Sequence, residues 1–197
     1  YDVTDGHVLL DGKDVREYDL ETLRGRIGFV LQKSELFSGT IADNIRWGNP
    51  QATEEEVVKA AKIAQADEYI QGFKDGYQTV IGEKGASLSG GQKQRLSIAR
   101  AIAKKPDVLI FDDSTSALDF STEARLHRAL RENLSETTVI VIAQRVASIM
   151  HADRILVLDN NTVAASGTHE ELLKTSPVYR DIYQSQMKAG DHDGTAE

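Results

Sequence analysis

Leu88-Ser89-Gly90-Gly91-Gln92 runs on as Lys93-Gln94-Arg95-Leu96-Ser97-Ile98-Ala99-Arg100-Ala101-Ile102 and is followed, past Pro106, by Val108-Leu109-Ile110-Phe111-Asp112-Asp113. This stretch decides the fold. Ser89 is a natural helix N-cap, the paired glycines let a ligand approach the backbone, and the free N–H groups of a first helical turn form an anion site. Taken alone, the segment also reads as an ordinary serine-capped helix after a glycine turn, which is the commoner case. Four apolar residues followed by two acids describe a buried strand that ends by aiming carboxylates at a metal or a water. A capped helix feeding such a strand is an α/β unit.

Upstream, His7 to Asp11 alternates polar and apolar residues and meets Gly12, the end of a β-hairpin. Asp19 to Leu23 predicts a short capped helix, and Arg26 to Leu31 a buried strand ending at Gln32. A polar residue at the carboxyl end of such a strand lies where open α/β sheets place ligand contacts. From Ser38 to Lys105 the pattern is mostly helical. Helices are predicted over Thr40–Arg46, Thr53–Ala64, with Thr53-Glu54-Glu55-Glu56 as a capping box, and Asp67–Phe73, and a glycine-spaced loop covers Gly76–Ala86. Trp47, the only tryptophan, is expected to pack within this helical lobe.

Downstream, the loop Ser114–Asp119 leads to a helix over Ser121–Asn133, a strand over Thr137–Ile142 and a short helix near Ala147. A strand pair, Arg154–Leu158 and Thr162–Ala165, follows around Asp159-Asn160-Asn161. Helices beginning at Thr168 and Pro177 close the fold, and Lys188–Glu197 reads as a frayed polar tail. The expected class is α/β, a largely parallel sheet with a helical lobe inserted. Its divisions are 1–37, a β part and a core strand ending at Gln32; 38–105, the helical lobe; 106–187, the rest of the core and the last helices; and 188–197, the tail.

The 197 residues carry 23 Lys+Arg against 31 Asp+Glu, a net charge of -8, which argues against a broad nucleic-acid-binding surface. There is no cysteine, so a disulfide framework is excluded. No apolar run approaches the roughly 18 residues that span a bilayer. The five histidines, His7, His127, His151, His169 and His192, are scattered and suggest no metal cluster.

Taken together, Gln32, Leu88 to Gln92, Leu109-Ile110-Phe111-Asp112-Asp113, Ser116-Ala117-Leu118-Asp119 and Ile142-Ala143-Gln144-Arg145 closely resemble the nucleotide-binding domain of ABC transporters. In that family's terms they are the Q-loop, the signature motif, the Walker B strand, the D-loop and the switch position. The resemblance implies a P-loop NTPase (RecA-like) core, ATP and Mg²⁺ as ligands, and a head-to-tail pair of such domains. Asp112 and Gln32 would hold the metal, and Ser89, Gly90, Gly91, Gln92 and Asp119 would serve nucleotide across the pair. Leu36-Phe37-Ser38-Gly39-Thr40-Ile41-Ala42-Asp43-Asn44-Ile45 and Val80-Ile81-Gly82-Glu83-Lys84-Gly85 look like exporters fused to their membrane helices. Glu83 would then contact the membrane domains, and the site of action would be the cytoplasmic face of the membrane.

The resemblance has two departures. The phosphate loop G-x-x-x-x-G-K-[ST] does not occur, since the only Gly-Lys pair, Gly12-Lys13, is followed by Asp14. The chain therefore reads as truncated just after that loop, and alone it is expected to bind ATP poorly and hydrolyse none. Efficient members carry Glu after the Walker B aspartate and His at the switch, whereas here the catalytic positions hold Asp113 and Gln144. Both changes resemble the impaired subunit of heterodimeric exporters, whose intact signature completes the partner's site. The alternatives are a homodimeric exporter ATPase with slow turnover, or a non-catalytic module whose nucleotide only sets dimerisation.

Overall fold

The computed structural model describes residues 3–82, 85 and 87–192. The chain forms two compact units, Tyr1–Ile142 and Ala143–Glu197.

The first unit opens with the expected hairpin, β1 (Leu9–Leu10) paired antiparallel with β2 (Lys13–Asp14). Asp11 and Gly12 both take positive φ at its turn, the conformation two-residue hairpins require. Helix α1 (Leu20–Arg26) starts at Asp19, whose side chain accepts the Thr22 N–H, and runs straight into β3 (Ile27–Val30). A parallel sheet then forms in the order β3, β6 (Val108–Asp112), β7 (Thr138–Ile142). Register aligns Val30 with Phe111 and Asp112 with Ile142, so the strands end together at one carboxyl edge. Between β3 and β6 lie α2 (Ile41–Arg46), α3 (Glu54–Ile63), α4 (Asp67–Gln71) and α5 (Gly90–Ala103). Capping boxes start three of them: Thr40 with Asp43, Thr53 with Glu56, and Ser89 with Gln92.

One core runs through helices and sheet alike, with Ile41, Ile45, Ile70, Leu96, Ile98, Leu109, Phe111 and Leu126 fully buried. Helix α6 (Phe120–Asn133) begins one residue earlier than the pattern suggested, with Asp119 as its N-cap. The helical stretch also contains a two-stranded ribbon that the pattern missed. Gly39–Thr40 (β4) pairs antiparallel with Val80–Ile81 (β5), and two-residue strands leave no alternation to read.

The second unit contains the hairpin β8 (Ile155–Asp159) and β9 (Thr162–Gly167), turned by Asn160 and Asn161 at positive φ. Helix α7 (His169–Thr175) and helix α8 (Pro177–His192) follow. Its small core is Val146, Ile155, Val157, Leu172 and Tyr179. Helix α8 continues through residues 188–192, where a tail was expected, and residues 193–197 lie outside the described residues. Among the described residues no helix is long and apolar enough to cross a membrane.

Candidate functional site

The carboxyl edge of the parallel sheet gathers the first group of candidate residues. Asp112 is the last residue of β6, and Asp113 follows at φ 45°, a left-handed turn that Asp tolerates better than most side chains. The turn is held on both sides. The Asp113 N–H donates to the Ile142 carbonyl at 2.8 Å, and the Ser116 hydroxyl donates to the Asp113 carbonyl at 3.0 Å. Gln32, two residues past the end of β3, donates its Nε2 to Asp113 Oδ2 at 2.9 Å. Residues 81 positions apart in sequence are thus joined at the end of neighbouring strands.

These groups fit Mg²⁺ by their chemistry. The donors are all oxygens, Asp112, Asp113 and the Gln32 Oε1, and a hard octahedral ion takes one or two carboxylates and completes its shell with water and phosphate. Among the described residues no cluster of three or more His, Cys, Asp or Glu forms a protein-only metal cage. A site of this kind needs none.

The second group is the start of α5. The Ser89 hydroxyl accepts the Gln92 N–H and the Gln92 side chain accepts the Ser89 N–H at 2.9 Å, which leaves the first-turn amides of Gly90 and Gly91 for a ligand. A Cβ at Gly90 would meet nothing within 4 Å, so the approach is open. At Gly91 a Cβ would stand 3.2 Å from the Ala117 carbonyl, so the loop after β6 lies close against this helix end. The turn is braced from α4. There the Tyr69 hydroxyl donates to the Gln92 carbonyl at 3.1 Å, and Arg95 lies over the Tyr69 ring at 4.8 Å. Burial pushes the Tyr69 phenol above its ordinary range.

Asp119 has a local task. Its carboxylate accepts the Ser121 hydroxyl at 2.6 Å, the Thr122 N–H at 2.9 Å and the Thr122 hydroxyl at 2.7 Å. These bonds, the Ser121 hydroxyl foremost, hold its carboxyl well below the usual carboxylate range. Thr115, within the same loop, donates to the buried Glu123 of α6 at 2.6 Å. Gln144 belongs to the second unit, where its carbonyl accepts the Gln186 side chain at 2.7 Å. Glu83 lies outside the described residues.

Two features escaped the sequence reading. Trp47 is not packed inside the helical lobe: it is 61% exposed and stacks on Phe37, with ring centroids 4.2 Å apart. Its neighbours on α2, Ile41, Ala42 and Ile45, fill the core, and Trp47 follows the helix at its C-cap. Gln94, in the middle of α5, is 2% exposed. A polar residue on a face otherwise formed by Ser97, Ile98 and Ala101 was the available signal.

The family model described as ABC transporter matches residues 1–116. The chain is 47% identical over 186 residues to YgaD of Bacillus subtilis, provisionally named a multidrug export ATP-binding/permease protein, covering 94% of this chain and 32% of that one. It is likewise 47% identical over 188 residues to YknU of the same species, named an uncharacterized ABC transporter ATP-binding protein, covering 95% and 32%. The solved structure of a bacterial Atm1-family ABC exporter with ATP bound superposes with a TM-score of 0.90 at 41% identity, over 94% of this chain and 33% of that one. The chain thus spans about a third of the length of these relatives. With the sheet edge, the capped α5 and the loop between β6 and α6 arranged as described, and more than half its length matched by one family model, the chain belongs to the ABC transporter family.

Proposed function

We propose that this chain is an ATP-binding domain of an ABC exporter and works head to tail with a second ATP-binding domain on a different chain. The observation that carries the reading is the meeting of Gln32 and Asp113 at the carboxyl edge of β3 and β6, with Asp112 adjacent. Asp112 would hold the metal, with Gln32 beside it. Bound there, Mg²⁺ would neutralise charge on the transferred phosphoryl group. Ser89 and the amides of Gly90 and Gly91 bind the γ-phosphate of an ATP held mainly by the partner, helped by the positive end of α5. Asp119 shapes the loop that reaches the second domain.

The domain's own hydrolytic site is the weaker one. Asp113 is one methylene shorter than the glutamate of efficient members, which draws the carboxylate back by about 1.5 Å. A misplacement of about 1 Å can already cost on the order of a hundredfold. Gln144 can donate a hydrogen bond to a phosphate oxygen but cannot carry an imidazolium charge. Membrane domains dock near the Gln32 segment and the Glu83 loop, on the cytoplasmic side, and the exposed Phe37–Trp47 stack supports a docked partner there. Vanadate trapping of nucleotide in the assembled exporter is expected to label the partner's phosphate-loop site at least tenfold more than this chain's site. Equal labelling overturns the division of labour.

A further inference from the structure

We infer that Gln94 is a positioning residue that carries movement of the Gln32 segment to the phosphate-binding end of α5. The inference deepens the function proposed above and rests on it. Gln94 is one of the largest fully buried side chains of the molecule and the only polar one among them in the described residues. Both ends of its amide are used, and both on one short turn. Its Nε2 donates to the Leu31 carbonyl at 3.2 Å, and its Oε1 accepts the Ser34 hydroxyl. Leu31 and Ser34 flank Gln32, whose own amide is bonded to Asp113.

Six residues further along α5, Arg100 secures the segment just beyond that turn. It donates to the Glu35 carbonyl at 2.9 Å, to the Asn44 carbonyl at 2.9 Å and to the Asn44 side chain at 3.0 Å, and its guanidinium lies over the Phe37 ring. Residues 31–37 are therefore clasped to α5 at two points. A helix moves as a rigid rod, so a shift of Gln32 toward or away from Asp113 must displace α5 or break a buried hydrogen bond, and the second is costly in a low-dielectric core. The other end of the same helix presents Ser89, Gly90 and Gly91. In the proposed pair, the metal end of one ATP site and the γ-phosphate clamp of the other are thus joined through α5, with the Gln94 amide as the contact nearest Gln32. An apolar residue of similar length at 94 would fill the same volume but leave the Leu31 carbonyl and the Ser34 hydroxyl without this partner, so the amide both satisfies these groups and ties the segment to the helix.

The test uses the full-length exporter containing this domain, assembled with its partner in lipid nanodiscs, and MgATP as the probe. Gln94→Met keeps the length and removes both hydrogen bonds; Ser34→Ala removes one; Ser34→Thr keeps the hydroxyl. The expected result is a kcat lowered about tenfold by Gln94→Met with KM for MgATP within about twofold, a smaller loss with Ser34→Ala, and recovery with Ser34→Thr. A purely structural role would lower the melting temperature and leave this split and the recovery unseen. Unchanged kcat in both Gln94→Met and Ser34→Ala overturns the inference. Hydrogen exchange without turnover separates this failure from failure of the functional reading. Gln32→Ala is expected to speed exchange of amides 89–93 severalfold in the parent protein and not in Gln94→Met. A parent exporter that hydrolyses no MgATP but shows this exchange pattern overturns the ATPase reading alone, and absence of the pattern overturns the role of Gln94.

Discussion

Asp119 illustrates how much a single carboxylate does at this site. Two hydroxyls and one backbone amide converge on it, so its charged form is favoured in the folded chain relative to the unfolded one. Its carboxyl is held below the usual range, so the stability it contributes is fully present above the unfolded Asp value of about 3.9 and is lost as pH falls through the lower folded value. Acidification from about pH 4 downward is therefore expected to loosen the start of α6 and the Ser114–Asp119 loop. Asp119→Asn retains a good N-cap and removes the titrating charge. Its denaturation midpoint, measured from pH 2 to 6, should depend less steeply on pH at the acid end than that of the parent chain. An unchanged acid slope would place the sensitivity on other carboxylates, such as Asp43, which the Thr40 hydroxyl holds low in the same way.

Two glycines on neighbouring elements separate folding from function. A Cβ at Gly48 would stand 2.0 Å from the backbone carbonyl of Arg100, so the end of α2 can lie against α5 only with hydrogen at this position. Gly48→Ala must push the two elements apart, an overpacking cost of about 2–3 kcal/mol, and should lower the melting temperature by roughly 5–10 °C. Gly90 is the opposite case, open on all sides and already helical. Gly90→Ala should leave the melting temperature within about 2 °C, since alanine is the better helix former. If the proposed function holds, it should nevertheless cut MgATP turnover of the assembled exporter at least tenfold, because a methyl group would stand where the proposed phosphate contact approaches the amide. Loss of stability at Gly90, or none at Gly48, would contradict this assignment.

Legibility in the sequence follows the same division. Capped helices with strong periodicity were readable, and Thr40, Thr53, Ser89 and Thr168 all begin helices in the structure, whereas Asp119, the last residue of the loop expected from the pattern, caps α6. The Gln32 and Asp113 positions were readable as strand ends, though not their hydrogen bond, which depends on β3 and β6 being neighbours across 81 residues. The β4–β5 ribbon, the exposed Trp47 and the clasp of Gln94 were not. Each depends on which distant element lies alongside, and no local pattern encodes that.

The whole molecule carries one contradiction of a general rule. Parallel sheets are covered on both faces, and here one face is well buried, with Val30, Leu109 and Phe111 at 1% exposure or less. The other is formed by Phe29, Ile110 and Ile140 in register, with Ile142 beside Asp112, and Phe29, Ile140 and Ile142 are all exposed, Ile142 at 52%. Such a contiguous apolar surface is a covered surface in a working protein. The 197-residue chain alone is accordingly expected to bind an anilinonaphthalene dye and to self-associate at micromolar concentration. The double substitution Ile140→Thr, Ile142→Thr should reduce dye binding by at least half while barely moving the chain's own stability, because neither side chain is buried in it. In the full-length protein the same pair should be destabilising, by about 1 kcal/mol per residue, since there the face must be covered. The two measurements share one cause: the drop in dye binding appears where the face is bare, and the cost in stability only where it is covered. Equal effects in both settings would mean that the sheet keeps a bare face in the assembled transporter as well, and that the layer expected over Phe29 and Ile140 does not exist.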